Sequence, residues 1–279
     1  MKSPDFEYLR PATLDELLAF LADDSCDSQI IAGGQSLVPM MNYRVTQPDR
    51  LIDINGIDDL RGCRVEKGIM RIGAMTRYVE LQHADIDREI PLLARVLPYI
   101  AHDAIRNRGT VGGSLGLSDP AAELPALALA LNGTIDLACQ AQARSVSADD
   151  FFHGVYETEC REDEVITALN LPCASDGDRF GFHELARRHG DYAMAGVIVA
   201  APAGSMPRAV FFGVADRPLH MPDLDACLAE HLADGQTASL DRAIACLADV
   251  EMVSDTHASE AMRRHLCAVV LKRAIEGME

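Results

Sequence analysis

A chain of 279 residues, 48% of them hydrophobic, suits one large domain or two to three small ones with a substantial core. Aromatic residues are only 5% and tryptophan is absent, so that core must be mostly aliphatic. Forty-three acidic against 25 basic residues leave a net charge of −18, which argues against a nucleic-acid binder or an anionic-membrane binder.

No apolar run has the length of a membrane span. The start, MKSPDFEYLRP, lacks the apolar stretch of a secretory signal. The eight cysteines are widely scattered with no CxxC pair, so neither a zinc ribbon nor an iron–sulfur cluster is expected on this chain. Reduced, mostly buried thiols and a cytoplasmic location are expected. The nine histidines show no HxxxH or HExxH spacing, so no metal site is expected.

In chain order, Thr13 and Glu16 fit a capping box before the helix LLAFLAD. SQIIAGG reads as a short buried strand ending in glycines, and SLVPMMNYR as a short helix broken early by Pro39. PDRLIDING reads as a strand. A boundary near Ile57 makes residues 1–57 a small α/β unit.

VEKGIMRIGAM alternates around a Lys-Gly turn like a hairpin. Thr76 is a candidate cap for the helix YVELQH, and PLLARVLPYIA is also helical. The stretch IRNRGTVGGSLGLSDPAAELP is glycine-rich and reads as a loop, with Asp119 a candidate cap and Pro120 a first helical residue. ALALALNG is a helix with an Asn-Gly stop, TIDLAC is a strand, and DEVITALNLP is a strand ending at Pro172. A second unit therefore spans 58–173.

CASDGD is a polar linker. The third unit, 177–279, opens with three strand-like runs: FGFHELARR, MAGVIVAAPA and RAVFFGVADRP. Helices are expected over 223–234, 239–249 and 257–276. In the last, Ala261, Met262, Leu266, Val269 and Val270 recur at helical spacing, as for a core face. Strands followed by helices indicate an α+β module.

Two segments carry chemistry. In IIAGGQSLVP, adjacent glycines follow a strand, where successive amides can form a nest for an anion. Gln35 and Ser36 add side-chain donors. Alone, the segment also reads as a plain tight turn. A second segment, Gly109-Thr110-Val111-Gly112-Gly113-Ser114, again joins paired glycines to hydroxyls. Glu123 lies just beyond it and could accept from a ribose hydroxyl. Neither segment fits GxGxxG or the P-loop pattern. Together they suggest a dinucleotide clamped at its pyrophosphate in a cleft between units.

AGGQSLVPMMNYR, RLIDI, IRNRGTVGGSLGLSDPAAELPA, HGDYA and GVADRP together resemble the FAD-binding medium subunit of molybdenum hydroxylases, the carbon monoxide, nicotine and xanthine dehydrogenase type. The resemblance runs over essentially the whole chain. It implies an α+β protein: a two-domain FAD-binding fold with FAD between the N-terminal and middle domains. A C-terminal α+β domain, with a three-stranded antiparallel sheet and helices, closes the flavin end.

Carried over to this sequence, the resemblance implies a first pyrophosphate segment of Ala32, Gly33, Gly34, Gln35 and Ser36. Thr110, Val111, Gly112, Gly113 and Ser114 form the second. Glu123 holds the adenosine ribose, Ile166 lies near the adenine, and Tyr192 lies beside the isoalloxazine. Many relatives carry Asn where Ser114 stands, and serine can make fewer hydrogen bonds. Leu117 receives no role, because GLSDPAAE lacks the histidine of the commoner form.

Arg187, Arg188 and His189 read either as a solvated or interface feature or as groups near the cofactor. Asp191 reads as a turn residue or a flavin contact. No side chain is expected to act as acid, base or nucleophile. The resemblance further implies a small partner carrying [2Fe–2S] clusters and a large molybdopterin partner that oxidises the substrate. Electrons would pass through FAD to NAD or another acceptor. The alternatives are a self-sufficient FAD-dependent oxidase or reductase, and a nucleotide-binding scaffold subunit without electron transfer.

Overall fold

A computed structural model describes residues 3–84 and 86–278. The first unit has three parallel strands, β1 (Glu7–Leu9), β2 (Ser28–Ile31) and β3 (Arg50–Asp53), in the order β1-β3-β2. Helix α1 (Leu14–Leu21) covers the sheet with Leu17, Leu18 and Leu21. Thr13 Oγ1 accepts from Glu16 N at 3.2 Å, as expected of a cap. The reciprocal arm closes one residue early, Glu16 Oε2 accepting from Ala12 N at 2.7 Å. Helix α2 (Leu37–Asn42) is not broken by Pro39. The proline is the third helical residue, in a first turn whose amides have no intrahelical acceptor to lose.

The middle unit contains β4 (Cys63–Glu66), β5 (Ile69–Gly73), α3 (Tyr78–His83), α4 (Pro91–Val96), α5 (Asp103–Arg106), α6 (Val111–Leu117) and α7 (Glu123–Ala130). It continues with β6 (Thr134–Ala138), β7 (Ala143–Ser147), α8 (Ala148–Phe151), β8 (Phe152–Gly154), β9 (Glu157–Thr158) and β10 (Val165–Pro172). Its main sheet is antiparallel, ordered β4-β5-β10-β6-β7. Lys67 and Gly68 take φ of 53° and 76°, the left-handed pair that joins β4 to β5 in a tight hairpin.

Three local expectations change. The N-cap of α3 is Arg77, not Thr76; the Thr76 hydroxyl donates to Gly62 O at 3.2 Å instead. The second glycine segment is not a loop: Gly112 and Gly113 sit in the first turn of α6, capped by Thr110. Helix α7 starts at Glu123 rather than at Pro120. Asp119 Oδ1 accepts from Ala121 N at 2.9 Å, closing a local turn before the helix.

The third unit is an antiparallel sheet, β11 (Arg179–Ala186), β12 (Ala193–Ala201), β13 (Arg208–Phe212) and β14 (Leu219–His220), in that order. The two-residue edge strand β14 adds to the three strands read from the sequence. Helices α9 (Pro222–Asp234), α10 (Thr237–Ala245) and α11 (Glu260–Glu276) follow. Side chains alternate across this sheet. Val197, Val199 and Phe211 pack with Leu228, Cys267, Val270 and Leu271 of the helices. Ile198, Val210 and Phe212 face the other way, into the core of the middle unit with Leu127 and Leu169. Burial on both faces explains why RAVFF and GVIVAA read as unbroken apolar runs.

A charged cluster locks this junction. Buried Arg208 donates to Asn132 Oδ1 and to both carboxylate oxygens of Asp149, all in the middle unit. It also donates to His220 Nδ1 at 3.0 Å, and His220 Nε2 bonds Asp225 Oδ2 at 2.6 Å. Removing the carboxylate strands a buried cation, whereas removing the cation frees a half-exposed carboxylate to water. Asp149→Ala should therefore cost about 2 kcal/mol and Arg208→Met about 1 kcal/mol. Denaturant midpoints in the opposite order would contradict this account.

Candidate functional site

The carboxyl ends of β2 and β3 open on the same side, because the strands are parallel with Ile31 opposite Asp53. A cavity of about 1120 Å³ lies there, between the first and middle units, with a wall from the third. Ala32, Gly33, Gly34, Gln35, Ser36, Thr110, Gly112, Gly113, Ser114, Glu123, Ile166 and Tyr192 all line it. Val111 does not; its side chain is fully buried in the core.

The two glycine segments touch through their backbones. A Cβ on Gly33 would stand 2.3 Å from Arg108 O, and one on Gly112 would stand 2.6 Å from Ala74 Cβ. Both glycines are thus demanded by protein packed against protein, independently of any ligand. Gly34 takes φ +70°, turning the chain from β2 into α2.

The segments differ in what they offer. The amides of Gly33, Gly34, Gln35 and Ser36 donate to no protein acceptor among the described residues, and the Ser36 hydroxyl makes no capping bond. The amides at the start of α6 in the second segment are engaged. Val111 N donates to Thr76 O at 3.0 Å, Gly112 N to Ala74 O at 2.7 Å, and Gly113 N to Thr110 Oγ1 at 3.2 Å. That segment can offer the Thr110 and Ser114 hydroxyls but no free first-turn amides. Gln35 Nε2 donates to Gly33 O at 3.0 Å, so one expected side-chain donor braces its own segment.

Glu123 is buried at the head of α7 and accepts from no other residue's side chain among the described residues. Burial pushes its carboxyl up to about 8, with the charges of Glu184 and Asp119 adding to the shift. Glu184, on β11, is pushed up to about 7 by burial, and its Oε2 has no hydrogen-bond partner. Ile166 precedes a bulge between Ile166 and Ala168 in β10 and is buried beside Gly116. Tyr192 stands 65% exposed at the rim.

Of the basic run, Arg187 lines the cavity together with Asp191, but Arg188 and His189 do not. The His189 ring instead meets Tyr99 edge-on, with centroids 5.1 Å apart. Several lining residues carry no local signal in the sequence. Asp255, His257 and Arg263 reach the cleft from the third unit. Arg263 is held by Met194 O, Gly213 O and Asp255 Oδ2. The tip of the β8–β9 hairpin adds Val155 and Tyr156, the latter at φ 59°.

Free amides and hydroxyls on one stretch, a buried carboxyl without a donor, an apolar side chain and a rim aromatic suit the parts of a dinucleotide flavin. Two α/β and α+β units around such a cleft, closed by a helix-backed sheet, define a flavin-binding protein. Residues 4–174 match the family described as FAD binding domain in molybdopterin dehydrogenase, and residues 180–278 match the CO dehydrogenase flavoprotein C-terminal domain. The chain belongs to the FAD-binding medium subunits of the molybdenum hydroxylases.

The nicotine 6-hydroxylase medium subunit of Paenarthrobacter nicotinovorans is 34% identical over 284 residues, covering 99% of this chain and 98% of that one. The caffeine dehydrogenase subunit beta of Pseudomonas sp. (strain CBB1) is 32% identical over 283 residues, covering 99% and 95%. The solved carbon monoxide dehydrogenase of Hydrogenophaga pseudoflava superposes with a TM-score of 0.92 at 34% identity, covering 99% and 98%. The family places this chain as the FAD-carrying electron-transfer subunit of a heteromeric molybdenum-dependent oxidoreductase. A self-sufficient flavin oxidase is not favoured. No helix among the described residues is long and apolar enough to cross a membrane.

Two outcomes follow from this geometry. Gly33→Ala should destabilise the flavin-free protein by about 1–3 kcal/mol, since either Arg108 or the loop must move; an unchanged denaturation midpoint would contradict the contact. Glu123 and Glu184 hold their protons to higher pH folded than unfolded, where carboxyls titrate near pH ~4. The unfolded chain then binds fewer protons between about pH 5 and 8, and the flavin-free protein loses stability as pH rises through that window. Thermal unfolding across pH should show this decline, and Glu123→Gln should flatten it.

Proposed function

We propose that the cleft holds FAD with its pyrophosphate on the free amides of residues 33–36 and on the hydroxyls of Thr110 and Ser114. Glu123 accepts from the adenosine ribose, Ile166 packs near the adenine, and Tyr192 lies beside the isoalloxazine. The observation that supports this reading most is the gathering of twelve of the thirteen expected residues around one cavity.

When bound there, FAD supplies reversible electron acceptance and release. The chain's own residues bind, orient and shield. Glu123 remains buried and gains donors for its carboxyl. Arg263 is braced by Asp255 and two carbonyls, which holds the third-unit wall in place. Tyr192 at the rim controls which acceptor approaches the ring. No residue of the site is assigned as acid, base or nucleophile.

Electrons arrive from a small iron–sulfur partner, itself reduced by a large molybdopterin partner. Among the described residues no three His, Cys, Asp or Glu side chains gather as a metal site, and the eight cysteines form no disulfide. Unpaired thiols also support a cytoplasmic setting. The acceptor is left open, and no nicotinamide-binding pattern supports NAD.

Tyr192→Ala should retain FAD in the purified complex while changing the rate at which reduced flavin reacts with acceptors. Stopped-flow traces of reduction and reoxidation superimposable on the wild type would count against the role. Glu123→Ala should weaken FAD binding about tenfold through loss of a buried hydrogen bond, read by titrating flavin into the flavin-free complex.

A further inference from the structure

The free amides of the first glycine segment are aimed by a side chain that lies outside it. Asn55 stands two residues beyond the end of β3. Its Nδ2 donates to Ala32 O at 2.7 Å and to Asp53 Oδ1 at 2.7 Å. Asp53 Oδ1 also accepts from Asn55 N at 2.9 Å, and its other oxygen accepts from the Tyr8 hydroxyl. Arg61 Nη2 donates to Asn55 O at 3.0 Å. Asn55 is therefore tied at its side chain, its amide and its carbonyl, to β1 through Tyr8 and to β3 through Asp53.

This matters because of peptide geometry. In a planar trans peptide the C=O and the following N–H point in opposite directions. Pinning Ala32 O on Asn55 thus sends Gly33 N–H away from Asn55. Gln35 Nε2 holds the next carbonyl, Gly33 O, and so orients Gly34 N–H in the same manner. Two successive peptide planes are fixed by side-chain amides, and the amides they orient donate to no protein group among the described residues. A flexible glycine pair would otherwise rotate freely and lose the order that an anion nest needs.

We infer that Asn55 is a positioning residue for the pyrophosphate: its carboxamide clamps Ala32 O to the Asp53 carboxylate and thereby turns the amides of the AGGQS segment toward the cofactor's phosphates. The residue type follows from the bond count. A primary amide nitrogen has two hydrogens, one for each acceptor, whereas Asp has neither and Ala offers nothing. The inference rests on the FAD reading above.

The test uses the assembled complex stripped of flavin, titrated by calorimetry with FAD, ADP and adenosine. ADP carries the pyrophosphate and adenosine does not. Asn55→Ala should weaken ADP and FAD about tenfold, the size of one well-placed hydrogen bond, and leave adenosine unchanged. Asn55→Asp should weaken ADP further, because it sets a carboxylate against Asp53 and Ala32 O. Tyr8→Phe, at a half-exposed residue, removes only the hydroxyl that braces Asp53; it should give a smaller loss for ADP and none for adenosine. If Asn55 variants do not assemble, Tyr8→Phe decides. ADP affinity at the wild-type level in the variants, or equal losses for ADP and adenosine, would overturn the inference. A wild-type complex that binds ADP no more tightly than adenosine would instead remove the pyrophosphate reading itself.

Discussion

The site depends on one close approach. The chain at Gly33, leaving the parallel sheet of the first unit, lies directly against Arg108 and Gly109 of the middle unit, with no room for a Cβ between them. That contact joins the open end of β2 and β3 to the first turn of α6. The cleft forms along this seam, and the residues that line it are neighbours only because the seam exists. Alanine at Gly33 would therefore damage the protein before it damaged cofactor binding.

The seam also divides labour between its two sides. The amides of α6's first turn are consumed by Thr76, Ala74 and the Thr110 cap, which makes that side a rigid support. The other side keeps its amides free and has its carbonyls restrained by Asn55 and Gln35. A buried, donor-poor Glu123 completes the wall. Its raised proton affinity is the cost of burying a carboxyl beside the charges of Glu184 and Asp119. The third unit is no appendage: one face of its sheet belongs to the core of the middle unit, and the Arg208 cluster fixes the junction. That rigidity is what brings Arg263 and Asp255 to the cleft.

Much of the architecture was legible in order. The Lys67–Gly68 hairpin, the strand ending at Pro172, the three strands of the third unit and the helix capped near Thr13 follow from periodicity and turn chemistry. Misreadings cluster where local rules compete. GTVGGSLG reads as a loop because glycine disfavours helices, yet Thr110 capping and the packing of Val111 and Leu115 hold it helical. Pro39 reads as a breaker from the sequence, because its place in the first turn depends on where α2 starts. Arg188 and His189 could not be told from Arg187, since only the fold decides which member of a run faces a cleft.

The sequence by itself determined the kinds of chemistry present: paired glycines beside hydroxyls, an acid at the head of a helix, an aromatic in HGDYA, and no cluster of cysteines. It also determined the family, because those motifs recur in one order along the chain. Tertiary structure decided which glycines serve packing, which amides remain free, and that Asn55 rather than Gln35 alone holds the first segment. The reason is physical. Backbone donors look identical in a sequence, and their availability is set by whichever carbonyl lies within reach after folding. Asn55 and Ala32 are 23 residues apart, and only the parallel register of β2 on β3 brings one to the other.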